Sequence, residues 1–113
     1  MDLSYNNLIH LKELSALKHM IKLNASNNQL RRMLDFDPPA NLEWVDYSNN
    51  AINKIEGCEK NPYLRFINLD GNSIQKIEGI STNKCLKVLS LNSNSLEFIL
   101  NLDDLNIEDL YLA

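Results

Sequence analysis

Ser15 and His19 stand four residues apart, a spacing that on a single helical turn brings a hydroxyl beside an imidazole, the minimal pairing of nucleophile and general base. No orienting acid or oxyanion-stabilising motif accompanies them, so both read as solvated polar residues. A phosphate cradle requires a glycine-rich turn that ends in Gly-Lys-Ser or Gly-Lys-Thr. The three glycines, Gly57, Gly71 and Gly79, precede Cys58, Asn72 and Ile80, so that chemistry is not encoded. The acidic run Asp103, Asp104, Glu108 and Asp109 reads as a solvated face, as do Arg31 and Arg32. Asn24-Ala25-Ser26 matches a glycosylation sequon, but the hydropathy pattern puts Asn24 in mid-strand and no secretory segment opens the chain. These residue types point to recognition and not to reaction: no enzyme, no cofactor, no metal and no small-molecule substrate is expected.

The elements that would position such residues follow from composition. The chain has 113 residues, 44% of them hydrophobic, which suits one folded unit. A net charge of −4 argues against a nucleic-acid partner. The longest apolar runs span a few residues, against the roughly 20 needed to cross a bilayer, so no membrane partner is expected. Two cysteines, Cys58 and Cys85, do not form a dense disulfide framework, and a reducing, cytoplasmic setting is expected. The bias lies elsewhere: 20 leucines and 17 asparagines occupy a third of the positions, which suggests a repeat.

The repeat is L-x-L-x-x-N-x-L. It reads Met1, Leu3, Asn6, Leu8; Leu23, Ala25, Asn28, Leu30; Val45, Tyr47, Asn50, Ile52; Ile67, Leu69, Asn72, Ile74; and Leu89, Leu91, Asn94, Leu96. Starts at 1, 23, 45, 67 and 89 are 22 residues apart, and a truncated sixth copy begins with Leu110 and Leu112, 21 residues on. Five asparagines in register define a leucine-rich repeat. The expected fold is therefore an α/β solenoid. Alternating residues before each asparagine give short strands that stack as a parallel, concave sheet. Apolar residues then recur every three positions, as in Leu8, Leu11, Leu14 and Leu17 or Ile74, Ile77 and Ile80, which predicts an irregular or 3₁₀ convex side. Residues 11–20 are expected to hold a helical turn, and Pro38 and Pro39 an extended stretch. Gly57 and Gly79, in equivalent positions, predict turns with positive φ.

The asparagines themselves are expected to bond inward, where a side-chain amide can both donate to and accept from a turning backbone. His19 and Cys85 share a frame position but lie three coils apart, about 14 Å at a strand spacing near 4.8 Å, too far to share a zinc. Cys58 falls in the apolar column of Leu14, Phe36, Ile80 and Leu102, where it acts as a small hydrophobe, and no disulfide to Cys85 is expected.

The positions that point away from the core are the informative ones. Just before each first core position stand Lys22, Trp44, Phe66, Val88 and Asp109. The next outward column is Asp2, Asn24, Asp46, Asn68, Ser90 and Tyr111; the next is Ser4, Ser26, Ser48, Asp70, Asn92 and Ala113. Trp44, Phe66 and Val88 thus form an apolar ladder rimmed by Asp46, Asn68 and Asp70, the candidate site for a protein partner with an apolar and basic segment.

At 22 residues per coil, with the tail of Leu8, Leu11, Leu14 and Leu17, the chain resembles the intracellular leucine-rich-repeat class of the protein phosphatase 1 regulatory subunit and axonemal dynein light chain. The segment from Asp35-Phe36-Asp37-Pro38-Pro39-Ala40-Asn41-Leu42 through Val45-Asp46-Tyr47-Ser48 to Asn50 is similar to the repeat region of the leucine-rich repeat and guanylate kinase domain proteins. The resemblance implies a non-catalytic scaffold, in a ciliary, axonemal or sperm-tail assembly or as a targeting or regulatory segment beside a kinase-like domain. Neither end carries a polar capping repeat, so the chain is expected to be a fragment of a longer array.

Overall fold

The computed structural model describes residues 1–5, 19–34, 41–80, 82–97 and 107–112. Among these residues five three-residue strands, β1 (Lys22–Asn24), β2 (Trp44–Asp46), β3 (Phe66–Asn68), β4 (Val88–Ser90) and β5 (Asp109–Tyr111), form one sheet in chain order. All neighbours pair in parallel, with Leu23, Val45, Ile67, Leu89 and Leu110 in one file. Asp2 bridges to Asn24 ahead of β1. The expected parallel solenoid is the fold observed.

In β1, β2 and β3 one buried residue is flanked by two less buried ones, in β4 Ser90 is buried as well, and in β5 the central Leu110 is only partly buried. The inter-coil ladder runs past the strands. Ala25, Tyr47, Leu69 and Leu91 donate their N–H to Asp46, Asn68, Ser90 and Tyr111 carbonyls at 2.7–2.8 Å. Asn27, Asn49 and Gly71 do the same one step on, at 2.8–2.9 Å. At those positions the chain turns with positive φ, in Tyr5, Asn27, Asn49, Gly71 and Ser93 alike. A left-handed residue every coil breaks each strand after a few residues, and asparagine and glycine tolerate it best.

Behind the sheet, the columns that begin at Leu30, Ile52 and Ile74 and continue through Met33, Ile55 and Ile77 are buried and fill the wedge. The convex side carries a 3₁₀ turn, Cys58–Lys60, entered through Gly57 at φ 80. Gly79 has φ 73, and a Cβ there would stand 2.7 Å from the Ile55 carbonyl oxygen. Both predicted glycine turns are present. The turn anticipated in residues 11–20 falls outside the described residues up to position 18, as do Pro38 and Pro39.

The asparagines stand in a single file. Asn50 Nδ2 donates to the Ala25 carbonyl of the preceding coil at 3.0 Å and to Tyr47 at 2.9 Å, while its Oδ1 accepts the Leu30 N–H at 3.0 Å. Asn72 and Asn94 repeat the pattern on Tyr47 and Ile52, and on Leu69 and Ile74. Asn28 Nδ2 reaches Leu3 and Ala25. A second file, Asn61 and Asn83, is fully buried on the convex side. There Asn83 Nδ2 donates to the Cys58 and Asn61 carbonyls at 3.0 Å each. It shares the 22-residue period, a signal the strand-centred frame passes over.

Candidate binding surface

Strand register brings Trp44, Phe66 and Val88 side by side, with Lys22 and Asp109 at the two ends of the file. Trp44, Phe66 and Val88 are each half-buried, whereas Lys22 and Asp109 are exposed. The Trp44 and Phe66 rings lie 5.0 Å apart and within 7° of parallel. Such stacking fixes both rings before anything binds, and a rigid aromatic shelf loses little entropy on contact.

Beside the ladder, the polar columns bond to each other. Asp46 Oδ1 accepts the N–H of Ser48 at 2.9 Å and its hydroxyl at 2.7 Å. Asn24 holds Ser26 in the same way, and Asp2 holds Ser4. The Ser4 hydroxyl, then its N–H, stabilise the Asp2 carboxylate and keep its pKa below the ordinary value. Asn68 Oδ1 accepts the Asp70 N–H at 2.9 Å. Asp70 differs: its Oδ1 takes the Ser90 hydroxyl at 2.6 Å and the Asn92 N–H at 2.8 Å, both from the next coil. Asp46, Asn68 and Asp70, the candidate rim residues, each secure the backbone where the strand ends. Both carboxylates use Oδ1 for this. Ser4, Ser26, Ser48 and Ser90, from the same outward columns, belong to this hydrogen-bonded wall.

The remaining candidates separate. Cys58 is buried and free, and desolvation followed by the neighbouring Glu59 pushes its thiol up to about 12; Cys85 is exposed and free. His19 is exposed, and Ser15 lies outside the described residues. Arg31 and Arg32 are exposed, with Arg32 Nε on Glu56 at 2.8 Å. Glu108 and Asp109 are exposed, while Asp103 and Asp104 lie outside the described residues. Among the described residues no group of three or more His, Cys, Asp or Glu could hold a metal ion, and no helix is long and apolar enough to cross a membrane.

No family model matches the sequence, and no curated protein does. Solved structures do match in fold. Internalin C2 of Listeria monocytogenes superposes with a TM-score of 0.90 at 20% identity, over 99% of this chain and 50% of that one. The internalin inlF of the same organism superposes with a TM-score of 0.76 at 16% identity, over 97% of this chain and 40% of that one. The chain thus spans half or less of the length of the structures it matches. At such identities the likeness establishes the fold, a leucine-rich-repeat solenoid, and with it the parallel sheet on which the candidate residues stand.

Proposed function

We propose that this solenoid is a non-catalytic protein-binding module that takes its partner on the concave sheet. The observation that carries the proposal is the half-buried stack of Trp44 on Phe66, in register with Val88, beside the polar residues Asp46, Asn68, Ser90 and Asp70. Large aromatics that are rigid, partly desolvated and rimmed by polar groups are what binding anchors require. The partner segment is apolar, with basic residues that meet Asp46 and Asp70, while the Asn68 amide serves as a neutral rim contact. The chain acts as a scaffold and not as an enzyme.

Trp44 is the single tryptophan, so its emission reports directly on the shelf. Titration with a blocked peptide that alternates leucine and phenylalanine with lysine should shift that emission saturably, and a Phe66→Ala variant with unchanged circular dichroism should lose affinity at least about tenfold. An unaltered affinity in that folded variant would remove the anchor.

Within this function, the similarity of residues 35–50 to the leucine-rich repeat and guanylate kinase domain proteins supports a cytoplasmic place in a ciliary, axonemal or sperm-tail assembly. A targeting segment beside a guanylate-kinase-like domain and a phosphatase-regulatory repeat are the alternatives that the same resemblance supports. Copurification of the intact protein with microtubule doublets, against copurification with a phosphatase catalytic subunit, separates these settings.

A further inference from the structure

A hollow of about 590 Å³ lies away from the open face of the sheet, on the flank where the chain enters each strand. The residues that immediately precede the strands, Ile21, Glu43, Arg65 and Lys87, border it, with Tyr63 and Lys84 from the turns before them. Among the described residues that line it, Arg65, Lys84 and Lys87 are cationic and Glu43 is acidic, with Glu108 on Lys87, a local excess of positive charge in a chain whose net charge is −4. Ile21 and Tyr63 keep 48% and 54% of their surface exposed and supply an apolar wall. Arg65 and Lys87 are held only loosely. Arg65 approaches Glu43 only to 4.0 Å with 58% of its side chain exposed, and Lys87 meets Glu108 at 3.3 Å with 44% exposed. Exposed surface pairs of this kind are weak, so an incoming carboxylate can exchange with them.

The dimensions select the occupant. From residue 21 to residue 87 the file crosses three strand spacings, about 14 Å, which is the length of about four extended residues. A single phosphate ion would fill a small part of that volume, whereas a short extended segment would span it.

We propose that this flank is a second docking surface, independent of the aromatic ladder, for an acidic peptide segment of a partner protein that runs along the solenoid axis. Its carboxylates pair with Arg65 and Lys87, where the guanidinium fork offers two parallel donors, and an aliphatic or aromatic side chain packs on Ile21 and Tyr63.

Cys85 lines the same hollow and is exposed, while Cys58 is buried, so alkylation of the native chain reads the hollow selectively. The probe is a blocked pentapeptide that alternates glutamate with phenylalanine and leucine, added to the intact chain before iodoacetamide. It should slow Cys85 alkylation several-fold and saturably, and its glutamine counterpart should not. Arg65→Glu/Lys87→Glu should weaken the protection at least about tenfold, or Arg65→Gln/Lys87→Gln should weaken it where the reversal fails to fold, whereas Lys54→Glu, outside the hollow, should leave it unchanged. Equal protection by the glutamine peptide would overturn the proposal, as would undiminished protection in a folded double variant. Complete displacement of the peptide by equimolar inorganic phosphate would also overturn it, in favour of a small-anion site.

Discussion

Asn72 Oδ1 accepts the Ile52 N–H at 3.0 Å from the preceding coil, and the same side chain donates through Nδ2 to the Tyr47 and Leu69 carbonyls at 3.0 Å each. One amide thus serves a donor and acceptors that no water reaches, and only a group with both functions can do so. Asn72→Ala should destabilise the fold by about 2–4 kcal/mol, since each orphaned buried group costs roughly 1–3 kcal/mol. Asn72→Asp makes the sharper test. An ionised carboxylate cannot donate to those carbonyls, so the folded state raises its pKa above the unfolded value of about 3.9. The contribution is fully present below that value and is lost as pH rises through the folded pKa, so urea midpoints for this variant should fall from pH 4 to pH 7 relative to the parent chain.

The asparagine file was legible because an identical residue returned every 22 positions, and the sheet followed because parallel stacking is the way successive coils bury a shared wedge. The apolar ladder was legible for the same reason: Trp44, Phe66 and Val88 share a frame position. What pattern alone did not carry was conformation within a coil. That Asp70 bonds forward to Ser90 and Asn92, while Asp46 bonds within its own coil to Ser48, depends on where each short side chain finds a backbone N–H, and neighbours in sequence do not determine that. The buried pair Asn61 and Asn83 escaped because asparagine on the convex side reads as a loop residue unless its period is checked there too.

Tyr47 occupies a leucine position of the frame and is fully buried, and its hydroxyl accepts the Leu34 N–H at 3.0 Å. Leu34 has φ 48, a conformation a leucine adopts only under constraint. Tyr47→Phe keeps the ring and removes that acceptor. A loss of about 1–3 kcal/mol in denaturant unfolding is expected, together with faster amide exchange at Leu34. An unchanged midpoint would mean that the hydroxyl holds nothing.

Gly79→Ala places a methyl 2.7 Å from a backbone oxygen of Ile55 at a residue with φ 73. The obstacle is backbone, so the coil itself must shift, and a loss of about 2–3 kcal/mol is expected. At Gly57 the nearest obstacles, the Leu34 Cβ at 3.0 Å and the Leu34 carbonyl oxygen at 3.1 Å, are also fixed by the backbone but stand farther off, so Gly57→Ala should cost less. Thermal midpoints of the two variants rank them directly.

Cys58 ionises only near pH 12 in the folded chain because burial, and to a lesser degree Glu59, penalise the thiolate. At pH 8 a thiol reagent should therefore label Cys85 at once and Cys58 only in denaturant. The folded pKa lies above the unfolded one, so the stabilising contribution is complete below about pH 9 and declines as pH rises towards 12. Between pH 9 and 10.5 stability should fall more steeply in the parent chain than in Cys58→Val, whose apolar side chain does not titrate. Equal slopes would mean that the thiol is not desolvated.

Trp44 and Phe66 face one another at 5.0 Å, so each could serve the fold, a partner, or both, and a double-mutant cycle separates the roles. Stacked pairs contribute about 0.5–1.5 kcal/mol beyond their burial, so the coupling between Trp44→Leu and Phe66→Leu in urea unfolding should fall in that range. Trp44→Phe retains a ring over Phe66 and should recover most of that coupling. If the pair served stability alone, binding of the apolar, basic peptide would survive in any variant that still folds. If the pair forms the shelf on which a partner rests, Trp44→Leu should lose that binding even at a temperature where it is fully folded, while Trp44→Phe keeps part of it. Folded fraction and affinity, measured on the same samples, therefore decide between a ring pair that only braces the sheet and one that also anchors a ligand.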